Sequence, residues 1–158
     1  MDTAERERRI LEQLQQNLEQ GGVEEIRLLK KEETGLERDI LTSLHPGIGT
    51  MYNLAEGEFS FGENRFDVRF NLVPELSPEG AAPLCVLICL FNAALPAGCF
   101  AYDTEEEALI YLLRTPVAAG LSEETLLALC DRCIAVALSV LEQHAGDLIR
   151  QAWKTKHG

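Results

Sequence analysis

The apolar positions fall into blocks of different period. Over residues 3–20, Ile10, Leu11, Leu14 and Leu18 recur at spacings of three and four, which predicts one amphipathic helix. Thr3 suits its N-cap, and Gly21-Gly22 ends it. The stripe is thin, so this helix is expected on a surface or against a partner. From 23 to 45, Val23, Ile26, Leu28, Leu29, Ile40, Leu41 and Leu44 fit short strands or helical turns equally well, and the pattern leaves both open. His45-Pro46-Gly47 stops whatever precedes it. Residues 48–73 then read as strands of period two. Phe59 and Phe61 alternate, as do Phe66, Val68 and Phe70, with Asp67, Arg69 and Asn71 on the other face. Gly62-Glu63-Asn64 suits the hairpin between them, and Pro74 to Gly80 reads as a loop.

The run Leu84–Phe91 is apolar throughout, and periodicity alone allows a buried strand or a buried helix. Pro83 fits a helical first turn, Ala93, Ala94 and Leu95 extend a helix, and Pro96 ends it, so helix is favoured. Cys99–Asp103 and Ala108–Arg114 follow as two strands joined by an acidic turn. The second is apolar on both faces, which predicts a central strand or one pressed between helices and a partner. Ser122 then caps a long helix with Glu123 and Glu124 in its first turn. Leu126, Leu127, Cys130, Cys133, Ile134, Ala137, Leu138 and Leu141 give it a wide apolar face. Leu129, Val136 and Val140 widen that face beyond what one sheet needs, and mark a candidate partner interface. Gly146 breaks the helix, and Leu148, Ile149 and Trp153 continue as a shorter one.

Composition narrows the class. A chain of 158 residues suits one structural unit that buries about 70 % of its unfolded surface. With 46 % apolar residues, its core needs no metal or disulfide. Fourteen basic and 26 acidic residues leave a net charge of −12, which repels phosphate backbones and anionic headgroups. A nucleic-acid or membrane-surface partner is therefore not expected. Residues 46–120 hold 3 basic and 10 acidic groups, whereas residues 121–158 are almost neutral. No stretch approaches the roughly 20 apolar residues of a membrane span. The mixed charge of the first residues is unlike a secretory signal, so a cytoplasmic location is expected. Five cysteines, an odd number in apolar surroundings, read as reduced core residues.

No residue set adds up to a catalytic site. Cys130-Asp131-Arg132-Cys133 could be a redox pair or half a zinc site, yet it lies two turns inside a helix on the apolar face. No second CxxC is present, and His45, His144 and His157 lack ligand spacing. Packing is the reading these features favour. Cys85 and Cys89 stand one helical turn apart among apolar neighbours, which raise a thiol pKa. Glu105-Glu106-Glu107 and Glu56, Glu58 and Glu63 lack the pattern of a calcium loop and read as solvated turns. Gly47-Ile48-Gly49 lacks the lysine of a phosphate loop, and no serine sits in a nucleophile elbow. His144 reads as a helix C-terminal cation. No cofactor, metal or catalytic residue is expected.

One stretch carries a family likeness: Phe91-Asn92, Leu95-Pro96, Gly98, Phe100, Tyr102-Asp103, Leu109-Ile110-Tyr111, Pro116 and Leu121-Ser122-Glu123-Glu124. It resembles the second half of YbjN-like domains, a family of proposed sensory transduction regulators similar in fold to type III secretion chaperones. The likeness covers about residues 65–145, and its motif residues are structural. Asn92 would cap the helix end, Gly98 would permit a tight entry to the strand, and Phe100 and Tyr102 would alternate with Cys99 and Ala101. The implied fold is α+β, an antiparallel five-stranded sheet in the order helix, three strands, helix, two strands, helix. Residues 1–45 would pack on a YbjN-like domain spanning 46–158. The implied function is a non-enzymatic, bacterial protein-interaction module, chaperone-like or regulatory, that binds a protein partner or forms a homodimer. A thiol-redox protein using Cys130 and Cys133, or a small-ligand sensor, is the alternative.

Overall fold

The computed structural model describes residues 2–157, the side chain of His157 excepted. The predicted first helix forms as α1 (Thr3–Gln20). Asp2, one residue before Thr3, is its N-cap, with Oδ1 accepting from the Ala4 amide at 3.2 Å. A carboxylate there both pairs an orphan N–H and meets the positive end of the helix dipole. Gly22, at φ +87°, turns the chain out of the helix.

The open segment resolves into β1 (Glu24–Leu29), the single turn α2 (Lys31–Thr34) and β2 (Ile40–Pro46). β1 carries a bulge between Glu24 and Arg27, with Glu25 at φ +49°. A bulge spends one residue without advancing the register, so alternation fails across it. The expected strands of 48–73 begin only at Leu54, because residues 47–53 form a turn in which the Gly47 amide donates to Asn53 O at 2.8 Å. β3 (Leu54–Gly62) and β4 (Arg65–Val73) then pair through a two-residue Glu63-Asn64 turn. Residues 74–80 are not loop throughout, since Ser77 caps a one-turn helix, α3 (Pro78–Ala81). The helix expected near 83–95 is α4 (Leu84–Ala94). It is followed by β5 (Cys99–Asp103), β6 (Ala108–Pro116), α5 (Glu123–His144) and α6 (Gly146–His157).

The class is α+β, and the sheet has six antiparallel strands in the order β1-β2-β3-β4-β6-β5. Five were expected. The bulged β1 and its neighbour β2 put four strands, in place of three, ahead of α4. β6 lies between β4 and β5 and is an internal strand, one of the two places expected for it.

Phe59, Phe66, Val68, Phe70 and Leu72 are fully buried on one face of the sheet, each worth roughly 1.5–3 kcal/mol. α1 closes on them with Ile10, Leu11 and Leu14, and α5 with Leu126, Cys130, Ile134, Ala137 and Leu141. α6 adds Leu148, Ile149 and Ala152, also fully buried. The other face is largely polar, with Ile110 of β6 buried on it. Arg69 reaches Asp103 at 2.8 Å, and Arg65 reaches Asp67 at 2.9 Å. Such half-exposed pairs are worth at most about 1 kcal/mol each.

Candidate functional site

α4 is two-sided in an unusual way. Residues 80–102 carry no charged side chain. Leu84 and Ile88 are buried toward the core, and Leu87 and Phe91 are half-buried beside them. Cys85, Val86, Cys89, Leu90 and Ala93 face outward, with Val86 68 % and Leu90 64 % exposed. The helix packs chiefly on α3, α6 and β5, and its outer stripe stays exposed. The expectation that all five cysteines lie in the core is corrected here: Cys85, Cys89 and Cys99 are exposed. Local apolarity described their neighbours correctly, but those neighbours are themselves at the surface. Counting apolar residues missed this patch. The readable signal was the lack of any charge over 23 residues in so acidic a chain.

The family-motif residues build the edge beside α4. β5 is a terminal strand, and open strand edges invite pairing with other chains. Asn92 closes this one at Phe100. Its Oδ1 accepts the Phe100 amide at 2.7 Å, and its Nδ2 donates to Phe100 O at 2.9 Å. At the helix end the Asn92 carbonyl accepts from the Leu95 amide at 3.3 Å, and the side chain serves the strand. Gly98 precedes β5 at φ +71°, and a Cβ there would lie 2.3 Å from Tyr111 Oη. Phe100 is buried, and Tyr102 donates its hydroxyl to Leu76 O at 2.6 Å. Asp103 accepts the amides of Glu105 and Glu106 at 2.9 and 3.1 Å and closes the acidic turn. The Glu106 amide and the Arg69 guanidinium hold its carboxyl below the usual range.

On α5, Val140 is buried at 4 % exposure, and Leu129 and Val136 are half-buried against the core. α1 and α6 both pack on α5. The structure does not bring these three side chains together with the α4 stripe. Cys130 and Cys133 lie in the core, and Cys133 Sγ donates to Thr115 Oγ1 at 3.2 Å. Burial pushes the Cys130 thiol far up, away from the thiolate that attack requires.

Ser43 and His45 form a pair that sequence reading did not single out. Ser43 Oγ lies 2.6 Å from His45 Nε2, the distance of a nucleophile and its base. Ser43 is only 1 % exposed, which keeps its hydroxyl out of reach of a substrate in this conformation. No group of three or more metal-ligating side chains occurs among the described residues. No helix among them is long and apolar enough to cross a membrane.

No protein-family model and no curated protein matches the chain. Among solved structures it is similar to a protein of uncharacterised role from Methanothermobacter thermautotrophicus. That likeness has a TM-score of 0.41 and 15 % identity over 88 % of this chain and 99 % of that one. It is also similar to YbjN from E. coli, a candidate transcription regulator, with a TM-score of 0.49 and 12 % identity over 84 % of this chain and 89 % of that one. Both likenesses are of fold alone.

Proposed function

We propose that this chain is a non-enzymatic protein-interaction module that self-associates through α4 and acts as a chaperone-like or regulatory dimer. The observation that carries the reading is the exposed stripe Cys85, Val86, Cys89, Leu90 and Ala93 on a segment without charge. Contiguous apolar surface held in water costs about 25 cal/mol per Å² and marks interaction sites on soluble proteins. Interface cores are likewise depleted in charge.

The occupant proposed is a second copy. Each copy carries −12, so two copies repel wherever their acidic surfaces meet, and residues 80–102 are where they meet without like charges. A basic partner would be drawn to the acidic turns in preference to α4. A helix stripe of this kind is self-complementary when two copies cross about a two-fold axis, with Val86 of one copy beside Leu90 of the other. The patch is one helix wide, small beside interfaces that bury roughly 800 Å² per partner, so micromolar affinity is expected.

Light scattering across a micromolar concentration series tests this. A dimer that Val86→Glu with Leu90→Glu converts to a folded monomer supports the reading. A wild-type monomer throughout the series overturns it. Both substituted positions are exposed, so the folded state of the variant is preserved and circular dichroism checks it.

A further inference from the structure

We propose that the cleft at the corner between α5 and α6 binds a small zwitterion with an apolar tail, of the class of a free aliphatic amino acid. The cleft encloses about 1050 Å³ and is open on one side. Phe91 and Leu138, both half-buried, give it apolar wall. Arg150 is spent on Asp147, its bonded neighbour one turn back. Two carboxylates remain. Glu142 stands one turn above Leu138 on the same face of α5, and Glu24 comes from the end of β1. Neither has an ion-pair partner among the described residues, so both are available to an ammonium group.

An independent observation comes from His45. It lines the same cleft, and it is 92 % buried, with 8 % of its surface exposed. Its Nε2 is taken by Ser43, whereas its Nδ1 has no partner among the described residues. That nitrogen is not among the fully enclosed unpaired atoms, and the ring lines the cleft. Ser43 is buried and has no other acceptor for its hydroxyl proton among the described residues, so we assign it as the donor to Nε2. The neutral ring then carries its proton on Nδ1, a donor on a ring that lines the cleft. A ligand that satisfies both halves brings an ammonium for Glu142 and Glu24 and an acceptor oxygen for His45. Its aliphatic part lies on Phe91 and Leu138. This site shares no side chain with the proposed α4 contact stripe.

The test is an NMR titration that follows the His45 imidazole signal with three probes. L-leucine carries both groups, 3-methylbutylamine only the ammonium, and 4-methylpentanoate only the acceptor. Leucine is expected to move the His45 signal saturably, and each single-function probe to bind roughly five- to tenfold more weakly. Glu142→Gln, an exposed substitution, is expected to weaken leucine by a similar factor and to leave the 4-methylpentanoate response unchanged. No saturable shift with millimolar leucine, or equal affinity of Glu142→Gln and wild type for leucine, overturns the proposal.

Discussion

At the scale of single residues, Gly98 and His45 each do something no other residue type would do in place. Gly98 sits at φ +71°, and a Cβ would lie 2.3 Å from Tyr111 Oη and 2.6 Å from Leu112 O. Gly120 has a similar φ of +84° but nothing within 4 Å. Gly120→Ala therefore costs only left-handed strain, about 1–2 kcal/mol. Gly98→Ala adds steric conflict worth a further 1–3 kcal/mol or so. Urea midpoints of the two variants measure the difference, and equal losses would show that Tyr111 moves aside freely. His45 is held below its ordinary pKa by burial. The unfolded ring, near 6.5, then binds more protons than the folded one. The stability this contributes is complete above about pH 6.5 and is lost as pH falls toward the folded pKa. Glu7 and Glu58, raised by burial, act with the opposite sign, and Asp39 and Asp103, lowered by guanidinium and amide partners, act in the acid range. A comparison with His45→Gln removes those contributions. The gap in Tm between wild type and variant should narrow from pH 7.5 to pH 5.5, and a constant gap would contradict the assignment.

At the scale of elements, legibility followed the number of constraints each segment carried. α1 was readable from its stripe of period 3.6, α5 because such a stripe and the capping residue Ser122 agree, and β3 and β4 because alternation and a turn agree. β1 was unreadable because its bulge breaks the alternation over six residues. α4 was readable as a helix, yet its exposure was not. A helix apolar on all sides belongs in a core only if something covers every side, and what covers a helix is decided by elements distant in sequence. The same limit applies to α5, on which α1 and α6 pack. Surplus apolar surface was therefore legible, and which of it stays exposed required the tertiary arrangement. The Asn92 link to Phe100 was half legible: the residue stood out in the motif, but its role as an edge clamp depends on α4 lying against β5.

At the scale of the whole molecule, the net charge of −12 and the uncharged segment 80–102 pull against each other, and that opposition is measurable. If two copies meet on α4, the contact itself contains no ion pair to weaken with salt. The surrounding carboxylates of both copies are brought closer and repel across distances set by screening. The Debye length is about 30 Å at 0.01 M salt and about 8 Å at 0.15 M. Raising salt over that range removes most of the repulsion and leaves the apolar gain in place. Dimer affinity is therefore expected to rise several-fold between these conditions, read by sedimentation equilibrium. A contact built on ion pairs, such as basic α6 side chains against the Glu105-Glu106-Glu107 turn, would weaken over the same range. The sign of the salt dependence thus separates an α4 interface from an electrostatic one without any substitution.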